Sequence, residues 1–364
     1  MKMITPLFLL IFCASALVSS QTLRNKPKQG KKVKSTAAVY STKSRSTLGL
    51  ELCSVVDNRR GGVWITGHAY LHSGLILSDR DGAVNPVVVS GAIQICDPVF
   101  VTADVGWLID GFSLYRTGNA GLSWQEKAVP GLSDVRSIHF LNWQNGWVGG
   151  FEGQIYRTAD GGEQWTKSNI PLKYQIKQIF FTDTLRGWAL AFKYVSPWLR
   201  MRALFRTDDG GESWEQLSDG DADERGSVES FVFLDRNNGW GIEGWQHNVI
   251  RTTDGGETWT IQKPFPEASW NTVFFKDALN GWIVGDGIAH TSDGGVTWEY
   301  QLRPPTPAPH FTRITFIDEK HGWAVANDRV VRTNNGGMTW EKLPDTWQGQ
   351  LPDYNVLVRQ VSKP

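Results

Sequence analysis

Residues 139–165 read HFLNWQNGWVGGFEGQIYRTADGGEQW, and two phrases in that stretch recur along the chain. The first is an apolar run, a polar turn and a Gly-Trp pair, here ending on Trp147. It returns as VFVTADVGWLIDG at Trp107, FFTDTLRGWALAF at Trp188, VFLDRNNGWGIEG at Trp240, FFKDALNGWIVGD at Trp282 and TFIDEKHGWAVAND at Trp323, with a degenerate RGGVWITG at Trp64. The seven copies follow one another at intervals of 43, 40, 41, 52, 42 and 41 residues. A period of about 40 residues, filled with short alternating strands and turn residues, is the signature of four-stranded blades set round an axis. The pattern predicts an all-β, seven-bladed β-propeller over residues 48–364.

The second phrase is RTADGGEQW at Trp165, RTDDGGESW at Trp214, RTTDGGETW at Trp259 and HTSDGGVTW at Trp298, with RTGNAGLSW at Trp124 and RTNNGGMTW at Trp340 as variants. This is an Asp-box (BNR-like) turn. The short carboxylate of Asp160, Asp209, Asp254 or Asp293 can accept backbone N–H groups of its own turn, and the glycines allow positive φ. Asn119 and Asn335 can do the same. The first copy, LSDRDGAVNP, lacks the tryptophan. Such turns sit on propellers with unrelated ligands, so they are expected to be scaffold rather than calcium or glycan sites.

The chain opens Met1-Lys2-Met3, followed by a short apolar run to Val18 and small residues at Ser19-Ser20, which predicts a signal peptide over 1–20. Cleavage is expected after Ser20, with Ala16 as the alternative. Residues 21–47 carry Arg24, Lys26, Lys28, Lys31, Lys32, Lys34, Lys43 and Arg45 and no acid, a composition that reads as a disordered basic tether. The formal net charge of zero therefore conceals an asymmetry: from residue 48 onward 28 basic residues face 37 acidic ones. An acidic body with its basic charge on a tail argues against a nucleic-acid partner. The expectations are an exported protein, periplasmic or extracellular, and a monomer. No metal-ligand spacing, nucleophile elbow or Gly-rich phosphate loop occurs, so neither a metal nor another cofactor is expected.

Strand order in a blade puts the box turns on one face and the opposite loops on the other. Eleven residues before each Gly-Trp tryptophan stand Cys53, Cys96, Arg136, Lys177, Glu229, Asn271 and Thr312, with Arg313 beside the last. These are expected at the mouth of the channel, with apolar wall positions such as Ile138 and Phe140 beyond them. Cys53 and Cys96 then lie on adjacent inner strands, either as a disulfide or as two small buried thiols. The 52-residue interval adds AFKYVSPWLRMRALF to one loop of the same face, offering Lys193, Tyr194, Trp198, Arg200 and Arg202 as an aromatic and basic projection. Residues 354–361 (YNVLVRQV) read as a further strand that would close the ring, either replacing or supplementing residues 50–57 in the first blade.

The alternation of F-x-x-D-x-x-x-G-W with R-T-x-D-G-G-x-x-W over residues 48–343 resembles the photosystem II stability and assembly factor family of cyanobacteria and chloroplasts. That family has exported relatives in bacteria that do not photosynthesise. Its members look like seven-bladed propellers that hold a membrane-protein subunit during assembly through a basic patch. The resemblance implies a non-catalytic scaffold with a protein client, with Arg136, Lys177, Arg200, Arg202 and Arg313 in the patch. The alternative is an Asp-box glycoside hydrolase, sialidase-like, or a glycan-binding propeller. Asp110, Glu152, Glu243, Asp286 and Asp328 would be its candidate acids, although paired carboxylates at loop ends are more often simply solvated. The Arg-Ile-Pro type motif of sialidases is absent, and xyloglucanases of this kind need two propellers where this chain has length for one.

Overall fold

A computed structural model describes residues 51–343, apart from 70–71, 79–83, 88–94, 111, 172–173, 197–198, 220–226, 263–264, 266–267, 304–308 and 327–328. The expected signal peptide, the basic tether and the strand at 354–361 lie outside the described residues, as does Trp198. Among the described residues there is no helix, and hence none long and apolar enough to cross a membrane.

The fold is a β-propeller. Among the described residues the strands pair into seven four-stranded antiparallel sheets, each built from four consecutive strands in sequence order. The third sheet is typical: Val135–Phe140, Gly146–Gly150, Gln154–Thr158 and Thr166–Asn169. In the first sheet the innermost strand is Glu51–Asp57. The first and last sheets pack together: Leu52, Val55, Val63 and Ile65 share one core with Trp323, Val325, Val330 and Leu343.

One aromatic unit, repeated, joins the sheets. The Gly-Trp indole of one sheet stacks on the phenylalanine seven residues before the next Gly-Trp tryptophan: Trp107 on Phe140, Trp147 on Phe181, Trp188 on Phe233, Trp240 on Phe275 and Trp282 on Phe316, at centroid distances of 3.6–4.3 Å. The box tryptophan meets the same ring edge-on, as Trp214 does Phe181. Each such contact adds about 0.5–1.5 kcal/mol beyond area burial. The glycine before the tryptophan follows from this stack. A Cβ on Gly146 would lie 2.2 Å from the Phe140 ring, and one on Gly187 would lie 2.4 Å from Phe181.

The turns after the third strands have a threonine as their hub. Thr207 Oγ1 donates to Asp209 Oδ1 (2.7 Å) and accepts the Gly211 N–H (2.9 Å), while Asp209 accepts the Ser213 N–H and hydroxyl. Asn119 and Asn335 reproduce this with amides, accepting from Thr117 and Thr333 and from the N–H groups of Ser123 and Thr339. Three of these turns also tie to the neighbouring sheet, for Trp147, Trp188 and Trp240 donate their indole N–H to the carbonyls of Gly210, Gly255 and Gly294.

Candidate functional site

Opposite the box turns, the first strands of the second to seventh sheets surround a cavity of about 570 Å³. Its deeper wall is apolar, with Val99, Ile138, Ile179, Phe180, Phe231 and Val273, and its polar lining includes Arg136, Lys177, Glu229, Asn271 and Arg313. These polar residues are the ones expected at the channel mouth from the sequence, and for all but Arg313 the structure puts a β-bulge at the residue itself. Register slips in the innermost strands skip Cys53, Arg136, Lys177, Glu229, Asn271 and Thr312, one in each sheet but the second, where the slip spans Asp97 and Pro98. A bulged residue has no partner across the ladder, and the extra twist re-aims its side chain. The eleven-residue offset in the sequence thus marks a structural feature that period-two alternation does not reveal.

Acids of the same chain hold Arg136, Lys177 and Arg202 at or behind this mouth. Arg136 pairs with Asp134 (Nε to Oδ1, 2.6 Å), and its guanidinium lies between the Phe112 and Phe151 rings, 4.6 Å from each centroid. Lys177 Nζ donates to the Glu229 carboxylate and to its carbonyl oxygen (2.8 Å). Arg202 Nη2 stands 2.5 Å from the other Glu229 oxygen, with its side chain only 9% exposed. Arg313 donates to the Thr312 carbonyl at 3.0 Å. Arg202 is therefore a buried pairing residue and not part of an outward projection, a correction to the expectation from the sequence.

About a third of the Lys177 side chain opens to the cavity. Crowding by protein nevertheless holds its pKa below the ordinary lysine value; Glu229 opposes that shift, and Arg202 and Arg313 reinforce it. His139, also in the lining, donates from Nε2 to the Phe181 carbonyl oxygen at 3.1 Å, and burial brings its pKa down to about 4. Its ring is neutral at pH 7, with the proton on Nε2 because a carbonyl oxygen can only accept.

The long interval is not a loop. Strands Gly187–Ser196 and Leu199–Thr207 run on as a hairpin past the ends of their sheet. Phe192 pairs with Arg202 and Tyr194 with Arg200, so these four share one face of the hairpin. Arg200 lies over the Phe192 and Tyr194 rings at 5.8 and 5.9 Å, and Tyr194 is 57% exposed. Lys193, on the other face, lies over Tyr174 at 4.6 Å. The face that holds Glu229 through Arg202 thus continues outward as Phe192, Tyr194 and Arg200.

The candidate acids separate. Glu243 is buried and accepts the N–H groups of Trp245 and Gln246 (3.0 Å each) and the Asn248 amide (3.1 Å), so it caps its own turn and is not solvated. Asp286 accepts the Ser269 N–H and pairs with His310 at 3.0 Å. Glu152 is exposed, with φ of +55° in its turn. Asp328 and the side chain of Asp110 lie outside the described residues. Cys53 is disulfide-bonded, and its Sγ lies 3.4 Å from Thr66 Oγ1; the Cys96 side chain lies outside the described residues. Among the described residues no group of three His, Cys, Asp or Glu side chains could hold a metal ion.

No protein-family model and no curated protein sequence matches the chain. Solved structures do resemble it. A structure described as YCF48 bound to a D1 peptide is 16% identical with a TM-score of 0.61, covering 79% of this chain and 94% of that one. YCF48 from Cyanidioschyzon merolae is 19% identical with a TM-score of 0.51, covering 69% and 84%. Virginiamycin B lyase from Staphylococcus aureus, with quinupristin, is 14% identical with a TM-score of 0.61, covering 79% and 96%. At these identities the likeness shows the propeller fold and no more, since one fold hosts both a peptide binder and a lyase.

Proposed function

We propose that this chain is an exported, monomeric, non-catalytic scaffold, a closed seven-bladed ring with Asp-box turns as structure. It holds a protein client at the face opposite those turns. The observation that carries the reading is the ring of bulge residues over the cavity, continuous with the hairpin face of Phe192, Tyr194 and Arg200. Charge and exposed aromatic surface meet there, the combination that anchors protein partners. The same fold holds a bound peptide in the YCF48 structure, which is consistent with this reading. So is the engagement of Glu243 and Asp286, the candidate acids already bound to their own loops. The client segment is expected to carry carboxylates, and nucleic acid is not expected to bind.

The test is capture of the client from membranes and extracts of the source cells by the mature protein, repeated with variants. Trp198→Ala with Arg200→Ala, and charge reversal at Arg136 and Lys177, are expected to reduce capture, and raised salt to reduce it for the wild type. Val296→Ser and Met338→Ser, exposed on the box face, are expected to leave it unchanged. Loss of capture with the box-face pair and retention with the others would overturn the assignment.

A further inference from the structure

We propose that Lys177 and Arg202 form a carboxylate-binding site that Glu229 fills in the ligand-free protein, so that a client carboxylate enters by displacing Glu229 from Lys177. This rests on the reading of the channel-mouth face as the client site and adds which contact the client must break.

Three observations converge. Among the described residues lining the cavity Glu229 is the only acid, and it stands at the bulge position that in the two preceding sheets holds Arg136 and Lys177. Its two oxygens reach two different bases, Lys177 and Arg202, both from the fourth sheet, while Glu229 belongs to the fifth. The two contacts also differ in accessibility. The Arg202 side chain is 9% exposed and sits against Ser227, whereas the Lys177 side chain is 35% exposed at the open mouth. A ligand from the cavity side can reach Lys177 without unpacking Arg202.

The electrostatics favour exchange at that point. One carboxylate serves two bases here, and Arg313 adds further positive potential at Lys177. Pairs shielded from water gain little net free energy, because desolvation offsets most of the attraction. Exchange at Lys177 leaves no charge unpaired, since Lys177 takes the incoming carboxylate and Glu229 retains Arg202. A ligand with a single carboxylate competes with Glu229 one for one. A segment with several adjacent carboxylates, reaching Lys177 while its other charges meet Arg136 or Arg200, has the advantage.

Hexa-aspartate is a suitable probe, titrated at low ionic strength by calorimetry. Glu229→Gln keeps the shape and removes the competing charge, and it is expected to tighten binding by about tenfold, the scale at which an adjacent like charge acts. Lys177→Gln is expected to abolish the gain in the double variant. In the wild type, hexa-aspartate is expected to protect Lys177 from acetylation, a measurement that stands even if a variant fails to fold. Equal or weaker binding by folded Glu229→Gln, a gain that survives Lys177→Gln, or an unprotected Lys177 would overturn the proposal. If the probe behaves as expected and no client is captured, the reading of the face fails while the carboxylate site stands. If a client is captured and Glu229→Gln changes nothing, the reverse holds.

Discussion

The two faces of this propeller are built from the same repeats by opposite logic. On the box face Thr158, Thr207, Thr252 and Thr291 each donate to the aspartate two residues on and accept the N–H of the second glycine, at nearly the same distances. On the channel face the equivalent bulge positions hold Cys53, Arg136, Lys177, Glu229, Asn271 and Thr312, no two alike. Uniformity marks where the chain needs stability, because each sheet must solve the same turn and the same joint. Variety at a fixed geometric position marks where chemistry is free to differ, because a bulged residue owes nothing to the ladder.

The strongest test of this division is at a joint. Trp188 is fully buried, stacked on Phe233 and bonded to the Gly255 carbonyl. Trp188→Ala is expected to cost about 3–5 kcal/mol in urea unfolding, the range for deleting a buried aromatic. If it costs under about 1 kcal/mol, the aromatic joints are not what stabilises the ring.

Acid should then separate the faces by pH. His139 has a folded pKa near 4, below its ordinary 6.5, so its contribution is complete above pH 6.5 and is lost as the pH falls from there toward 4. The box carboxylates act lower. At Asp209 and Asp254 burial raises the pKa, but hydrogen bonds from Ser213 and Thr207, and from Thr258 and Thr252, outweigh it and bring both to about 2. Their contribution is complete above about 3.8 and is lost as the pH falls toward 2. His139→Gln is expected to remove the upper phase of an acid-unfolding titration and leave the lower one.

A single box turn matters less. Thr207→Val deletes the hub hydroxyl and leaves the Gly211 N–H without its acceptor, at an expected cost of about 1–2 kcal/mol in thermal or urea melts with client capture unchanged. A fully stable variant that no longer captures the client would place function on the wrong face. The smallest effect is expected at Trp245, 54% exposed beside the channel mouth. Trp245→Ser should shift stability by no more than about 0.5 kcal/mol.

One joint departs from the rest, and its cause is visible in the sequence. Seven residues before Trp64 the chain has Asp57 where the other six copies have phenylalanine. Trp323 accordingly meets an aliphatic cluster at the first sheet instead of a stacked ring. Its buried indole N–H has no partner among the described residues. A reading that looked for the phenylalanine as well as the Gly-Trp pair would have anticipated both the stacks and this exception.

The sequence alone determined the all-β propeller class, its repeat and the place of the Gly-Trp and Thr-x-Asp-Gly-Gly phrases within each repeat. Each of these depends on local spacing and turn chemistry, which are written in consecutive residues. Only the tertiary structure decided that Arg202 turns inward to Glu229, that Arg136 is clasped by Phe112 and Phe151, that Glu243 is a buried cap and that the long insertion is a hairpin. These outcomes join residues from different sheets or from both sides of a turn. The sign and strength of a charge's partner depend on distances across the ring, and a periodic pattern along the chain carries no record of them.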